Sequence, residues 1–200
     1  LVLTSLQGKM GLSGSITAQE ALGTHSNQIG STAKAVIKIA FITEGLGFLG
    51  LTLLLAPLKG LKDAMYEAFF LCISAFNNAG FALNGNNMTA YVHQPMISFI
   101  ISLLIITGGV GFLVILDIIK HKRWQKFTLH TKVMVLGTLA LNIIGCILYW
   151  LLERHNAKTI GGLSEAGQWF ASWFMAVAPR TAGFNNIDYS QVTDASTLLT

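Results

Sequence analysis

The stretch SAFNNAGFAL at residues 74–83 has a counterpart in PRTAGFNNID at residues 179–188. The two align over a core of four positions, Asn78-Ala79-Gly80-Phe81 and Thr181-Ala182-Gly183-Phe184, and share Ala-Gly-Phe, with the two glycines 103 residues apart. Each core follows a short apolar run, Ala64 to Phe76 and Leu163 to Val177. Such runs fall short of the roughly 20 residues a helix needs to cross a bilayer, and are more often re-entrant or interfacial. Working outward, a longer apolar run precedes each short one, Val36 to Ala56 and Val133 to Leu152, and another, Met96 to Leu116, follows the first. At about 1.5 Å per residue, each long run covers about 30 Å of hydrocarbon. The chain therefore reads as an internal repeat of helix, half-helix, loop and helix, with the second copy ending before its last helix.

Composition supports an all-α membrane protein. Hydrophobic residues make up 52% of the 200 and charged ones 11%, against roughly 25% charged in a soluble domain. The glycines lie along apolar runs, as they do where membrane helices pack closely or bend. Cys72 and Cys146 lie far apart in apolar stretches and read as small buried hydrophobes. The five histidines show no metal-ligand spacing, and no cofactor is implied. The net charge of +4 does not point to nucleic acid, because most charges flank apolar segments. Eight lysines and arginines, from Lys9 to Lys132, fall on one side of this topology, and Lys59, Lys62, Arg154 and Lys158 on the other. The richer side is expected to be cytoplasmic, which puts both loops at the outer face of the plasma membrane. The basic loop Lys120–Lys132 is then internal, beside anionic lipid. A start without methionine and an apolar run beginning near Thr200 suggest an internal part of a longer protein.

Irregular backbone at membrane depth is tolerated only where protein buries it or where it lines a watery cavity. A half-helix returning through a glycine loop lines such a cavity. Rings of backbone carbonyls there can replace a cation's hydration shell, and glycine supplies the dihedrals this needs. The C-terminal end of each half-helix adds partial negative charge.

These residues resemble the Trk/Ktr/HKT superfamily of potassium transporters. SAFNNAGFAL and PRTAGFNNID are similar to its second and third filter segments, and GGVGF at 108–112 to its inner-helix pattern. FNNAGF, PRTAGFN and the LHTK at 129–132 bring the likeness closest to the KtrB-type pore-forming subunits. The resemblance implies four joined helix–loop–helix units around one pseudo-fourfold, potassium-channel-like pore. Residues 1–30 would then end the first unit and lead on through a cytoplasmic connection. Residues 31–120 would form the second unit and 121–200 the third. Potassium would pass the backbone carbonyls of Asn78, Ala79, Gly80 and Phe81 and of Thr181, Ala182, Gly183 and Phe184. It also implies a homodimer and a cytoplasmic nucleotide-binding regulatory subunit, with sodium as a candidate coupling ion. Only one glycine of the potassium-channel TVGYG signature persists in each loop, which predicts looser selectivity.

Other polar residues need placing. Glu44 lies within an apolar span, where a carboxylate is costly, and reads as support behind the filter. Arg180 precedes the third filter and is expected to bind the carbonyls ending the short helix, or a buried acid such as Glu44. Asp188 either concentrates cations or is a plain surface acid. Gly108, Gly109 and Gly111 form a hinge or let helices approach. Two other classes fit less well. An aquaporin-like channel for neutral solutes would carry Asn-Pro-Ala on half-helices entering from opposite faces, and neither loop has that triplet. An intramembrane enzyme would need a catalytic motif, and none is present.

Overall fold

The computed structural model describes residues 29–200, and regular structure there is helical throughout. Seven α-helices follow in order: α1 Ile29–Lys59, α2 Leu61–Phe76, α3 Pro95–Val110, α4 Phe112–His121, α5 Leu129–Glu153, α6 Glu165–Thr181 and α7 Asp194–Leu199. Of the expected tail at residues 1–30, all but Ile29 and Gly30, which open α1, lies outside the described residues.

α1 from Thr32 and α5 are long and apolar enough to cross a membrane. Both show apolar side chains outward, among them Phe41, Leu46 and Leu53 on α1 and Val133, Leu136 and Ile144 on α5. A soluble protein rarely leaves so continuous an apolar surface uncovered. Against lipid chains it is the ordinary state of a spanning helix.

Gly60 alone separates α1 from α2. Its N–H donates to the Ala56 carbonyl (2.9 Å) and its own carbonyl accepts from Ala64 N–H (3.0 Å). Its φ of 82° lies where a Cβ is strained, so a glycine suits the reversal. α2 then packs back against α1 and reaches α3, while α6 packs against α5 and α3. One buried cluster joins Leu51, Leu55, Leu71, Ile101 and Leu104 to Phe174, Val177 and Phe184. A second lies between α5 and α6, around Cys146, Tyr149, Ala171 and Met175. Both cysteines are buried.

Two helices depart from the sequence reading. The run Met96–Leu116 is not one straight span: α3 stops at Val110 and α4 leaves at 92°. The turn is made at Gly111, whose φ is 94°. Gly108 does something else. A Cβ there would lie 1.8 Å from the Phe76 carbonyl oxygen, so its bare α-carbon lets α3 meet the end of α2. Hinge and close approach both occur, at different glycines. α6 also runs on to Thr181, past Val177 and through Pro179. Proline has no N–H to donate, but Ala182 and Gly183 N–H both close onto the Ala178 carbonyl (3.0 Å each) and finish the turn.

Gly108→Ala should therefore lower the melting temperature in detergent by several degrees, the effect of an overpacking cost of about 1–3 kcal/mol. Gly45→Ala, where a Cβ meets nothing within 4 Å, should not. Equal melting temperatures for the two would contradict the close approach.

Candidate functional site

The two Gly-Phe loops lie side by side. After α2, Asn78 N–H donates to the Ala75 carbonyl (3.1 Å) and Ala79 N–H to the Ser74 carbonyl (2.8 Å). Asn78 and Gly80 then take left-handed dihedrals, φ 53° and 74°. Buried Ser74 holds both backbone groups of Phe81: its hydroxyl donates to the Phe81 carbonyl (2.7 Å) and accepts from Phe81 N–H (2.9 Å). In the second loop Gly183 has φ 71°, nearly that of Gly80. Buried Asn186 donates through Nδ2 to the Ala171 carbonyl (3.3 Å) and fixes the loop to α6.

Gly80 faces the other loop directly. A Cβ on it would sit 2.0 Å from the Ala182 carbonyl oxygen. Asn87 bridges the pair, donating through Nδ2 to the Gly80 carbonyl (3.1 Å) and accepting from Asn185 N–H at Oδ1 (3.3 Å). Met88 N–H donates to the Asn185 carbonyl (2.9 Å). Among the described residues, no hydrogen bond reaches the carbonyls of Ala79, Ala182 or Gly183. These are neutral oxygens set at the ends of two helices, whose terminal carbonyls carry partial negative charge. Such oxygens suit a hard, singly charged cation. Among the described residues no three of His, Cys, Asp and Glu converge.

A polar cleft of about 420 Å³ opens outside the loops, lined by Asn86, Asn87, Asn185 and Asp188 among others. The Ser190 hydroxyl (2.7 Å) and N–H (2.9 Å) both donate to Asp188 Oδ1. They hold that carboxyl below the usual range, so it lines the cleft as an anion.

A buried carboxylate anchors the chain beyond each loop. Glu67 on α2 accepts from Lys59 Nζ (2.6 Å), Asn84 Nδ2 (2.9 Å) and the Tyr91 hydroxyl. Glu153, at the end of α5, accepts Thr193 N–H (2.8 Å), the Thr159 hydroxyl (2.6 Å), Asn156 Nδ2 (2.8 Å) and the Ser196 hydroxyl. It thereby pins the first turn of α7.

Of the residues singled out from sequence, Asn78 to Phe81 and Ala182 to Phe184 come together in these loops. The backbones of Arg180 and Thr181 form the last turn of α6, and their side chains lie outside the described residues. Glu44 is half-buried on α1, and among the described residues no ion pair reaches it. Ser74, Asn87, Glu67 and Glu153 were missed. The run Asn84-Gly85-Asn86-Asn87, polar in so apolar a chain, was the available signal for Asn87.

Comparison with known proteins places these features in a family. The family model described as TrkH, cation transport protein, matches residues 2–200. The Ktr system potassium uptake protein B of Vibrio alginolyticus is 41% identical over 187 residues, covering 91% of this chain and 41% of that protein. The protein of the same name in Bacillus subtilis is 39% identical over 202 residues, covering 100% of this chain and 45% of that one. The potassium/sodium uptake protein NtpJ of Enterococcus hirae is 35% identical over 165 residues, 82% of this chain and 36% of that protein. The chain thus spans less than half the length of these relatives.

Ser74→Ala should leave the Phe81 N–H and carbonyl without their partner, at about 1–3 kcal/mol for the loss. The expected outcome is a lower melting temperature, read by thermal unfolding in detergent. An unchanged value would mean that water replaces the hydroxyl without cost.

Proposed function

The chain belongs to the TrkH family of cation transport proteins, with relatives named as potassium uptake proteins, and on that premise we propose that its two loops are adjoining quarters of a potassium-selective pore. In this reading residues 31–120 and 121–200 are the second and third of four units. Potassium passes the backbone carbonyls of Asn78 to Phe81 and Thr181 to Phe184. Glu44 and Arg180 support the loops from behind; Arg180 stays off the path, because a cation beside it would repel potassium. The loops face outward across a plasma membrane. Kinship with the family carries the remaining proposals: a homodimer, a cytoplasmic nucleotide-binding regulatory subunit, and sodium as coupling ion.

The observation that supports this best is the relation between the loops. Gly80 and Gly183 share a left-handed φ, 74° and 71°. The Cβ direction of Gly80 meets Ala182, whereas that of Gly183 meets nothing within 4 Å. Likewise Phe184 is 1% exposed, within the cluster built mainly by α1, α2 and α3, while Phe81 is 69% exposed. Equivalent residues thus make unequal contacts. A head-to-tail contact of this kind closes into a ring when its rotation closes, and a four-unit pore requires that it does. Further units would cover Phe81 and Gly183 as these two cover Phe184 and Gly80.

Uptake measurements on the complete protein test this. Gly80→Ala should reduce potassium uptake roughly tenfold or more, since its Cβ must displace a loop or distort the backbone. In a ring, Gly183→Ala should be equally harmful, because a further loop lies against it. If Gly183→Ala retains wild-type uptake and ion preference, the ring is wrong. Orientation has its own test. A cysteine at exposed Asn86 should react with an impermeant thiol reagent outside intact cells, and one at exposed Lys122 should not. The reverse pattern would invert the topology.

A further inference from the structure

The bend at Gly111 creates a surface that a straight span would not have. α3 has 16 residues and rises about 24 Å, most of a hydrocarbon core about 30 Å thick. α4 then leaves at 92°, so with α3 upright in the bilayer α4 runs along the surface rather than through it.

Its two sides differ in chemistry. Val114 is buried. Asp117 turns to the protein, where Oδ1 meets His121 Nδ1 (2.6 Å) and Oδ2 accepts Thr128 N–H (2.9 Å) and the Thr128 hydroxyl (3.0 Å). Asp117 is the only acid between Phe112 and Lys132, and these bonds occupy it. Outward lie Ile118 and Ile119, with Trp124 set edge-on to Phe127 at 5.7 Å. Lys120, Lys122, Arg123 and Lys126 are all exposed, and among the described residues none forms an ion pair. The surface continues directly into exposed Leu129 and Val133 of the spanning helix α5.

An in-plane helix with apolar side chains, a tryptophan and unpaired cations beside a spanning segment has the features of a helix that binds at the bilayer boundary. We propose that α4 and residues 122–127 form a binding surface for anionic phospholipid, with Ile118, Ile119 and Trp124 set among the upper acyl chains. Lys120, Lys122, Arg123 and Lys126 hold the headgroup phosphates. Orientation by positive charge alone would need neither the in-plane helix nor the apolar wedge. The proposal requires that α1 and α5 cross the membrane and is independent of which ion the loops pass.

The complete protein in nanodiscs provides the test, with phosphatidylglycerol titrated against phosphatidylcholine and the melting temperature as readout. Wild type should gain stability as phosphatidylglycerol rises, and added salt should reduce the gain. The triple variant Lys122→Gln, Arg123→Gln, Lys126→Gln should melt like wild type in pure phosphatidylcholine. Its phosphatidylglycerol midpoint should move higher, roughly fivefold for each charge removed. A second arm places a bimane label on Gln125→Cys, which brominated phosphatidylglycerol should quench more than brominated phosphatidylcholine. An unchanged midpoint in the triple variant overturns the proposal, as does equal or absent quenching. It is also overturned if the triple variant keeps the lipid response but loses a soluble acidic protein, which would make the surface a protein dock.

Discussion

A peptide N–H or carbonyl in hydrocarbon has no water to bond, so every departure from helix at membrane depth must find partners within the protein. In the proposed pore, the loops after α2 and α6 answer to this constraint. Ser74 supplies both partners for Phe81, Ala178 takes the amides of Ala182 and Gly183, and Asn87 ties Gly80 to Asn185. Among the described residues, the carbonyls of Ala79, Ala182 and Gly183 accept none of these bonds. The proposed pore draws on them, and also on the Gly80 and Phe81 carbonyls, which keep their bonds from Asn87 and Ser74.

The same constraint explains why the repeats keep one plan but differ in their fastenings. Beyond each loop the chain starts another helix, and a buried carboxylate gathers the donors at that point. In the first repeat it is Glu67, on the short helix, drawing in Lys59, Asn84 and Tyr91. In the second it is Glu153, at the end of the long helix, drawing in Thr159, Thr193 and Ser196. A carboxylate accepts several hydrogen bonds at once, so either position satisfies the local donors. What has to recur is the loop, not the anchor.

The bend at Gly111 shows a local choice redirecting a whole segment. Residues 96–116 carry no charge, and hydropathy cannot separate one straight span from a helix that turns at the boundary. The left-handed φ at Gly111 and the bonds from Thr128 and His121 to Asp117 decide it. They bring α4 back against the start of α5 and leave its cations facing outward.

Much was legible in the order of residues. Two of the three long apolar runs marked helices long enough to span, and the short runs marked the short helices, because hydrocarbon thickness sets helix length; the third long run bends at Gly111. The paired Ala-Gly-Phe cores marked the loops, because only glycine takes those dihedrals without strain. Which atoms satisfy those loops was not legible. Ser74 looks like any small helix residue, Asn87 acts on residues seven and 98 positions away, and Glu67 and Glu153 sit at unrelated places in the repeat. Hydropathy and local spacing follow from each residue and its neighbours, and so they can be read in one dimension. The head-to-tail contact of Gly80 with Ala182, the 92° turn and the two carboxylate anchors arise from segments far apart in the chain, so tertiary packing alone decided them.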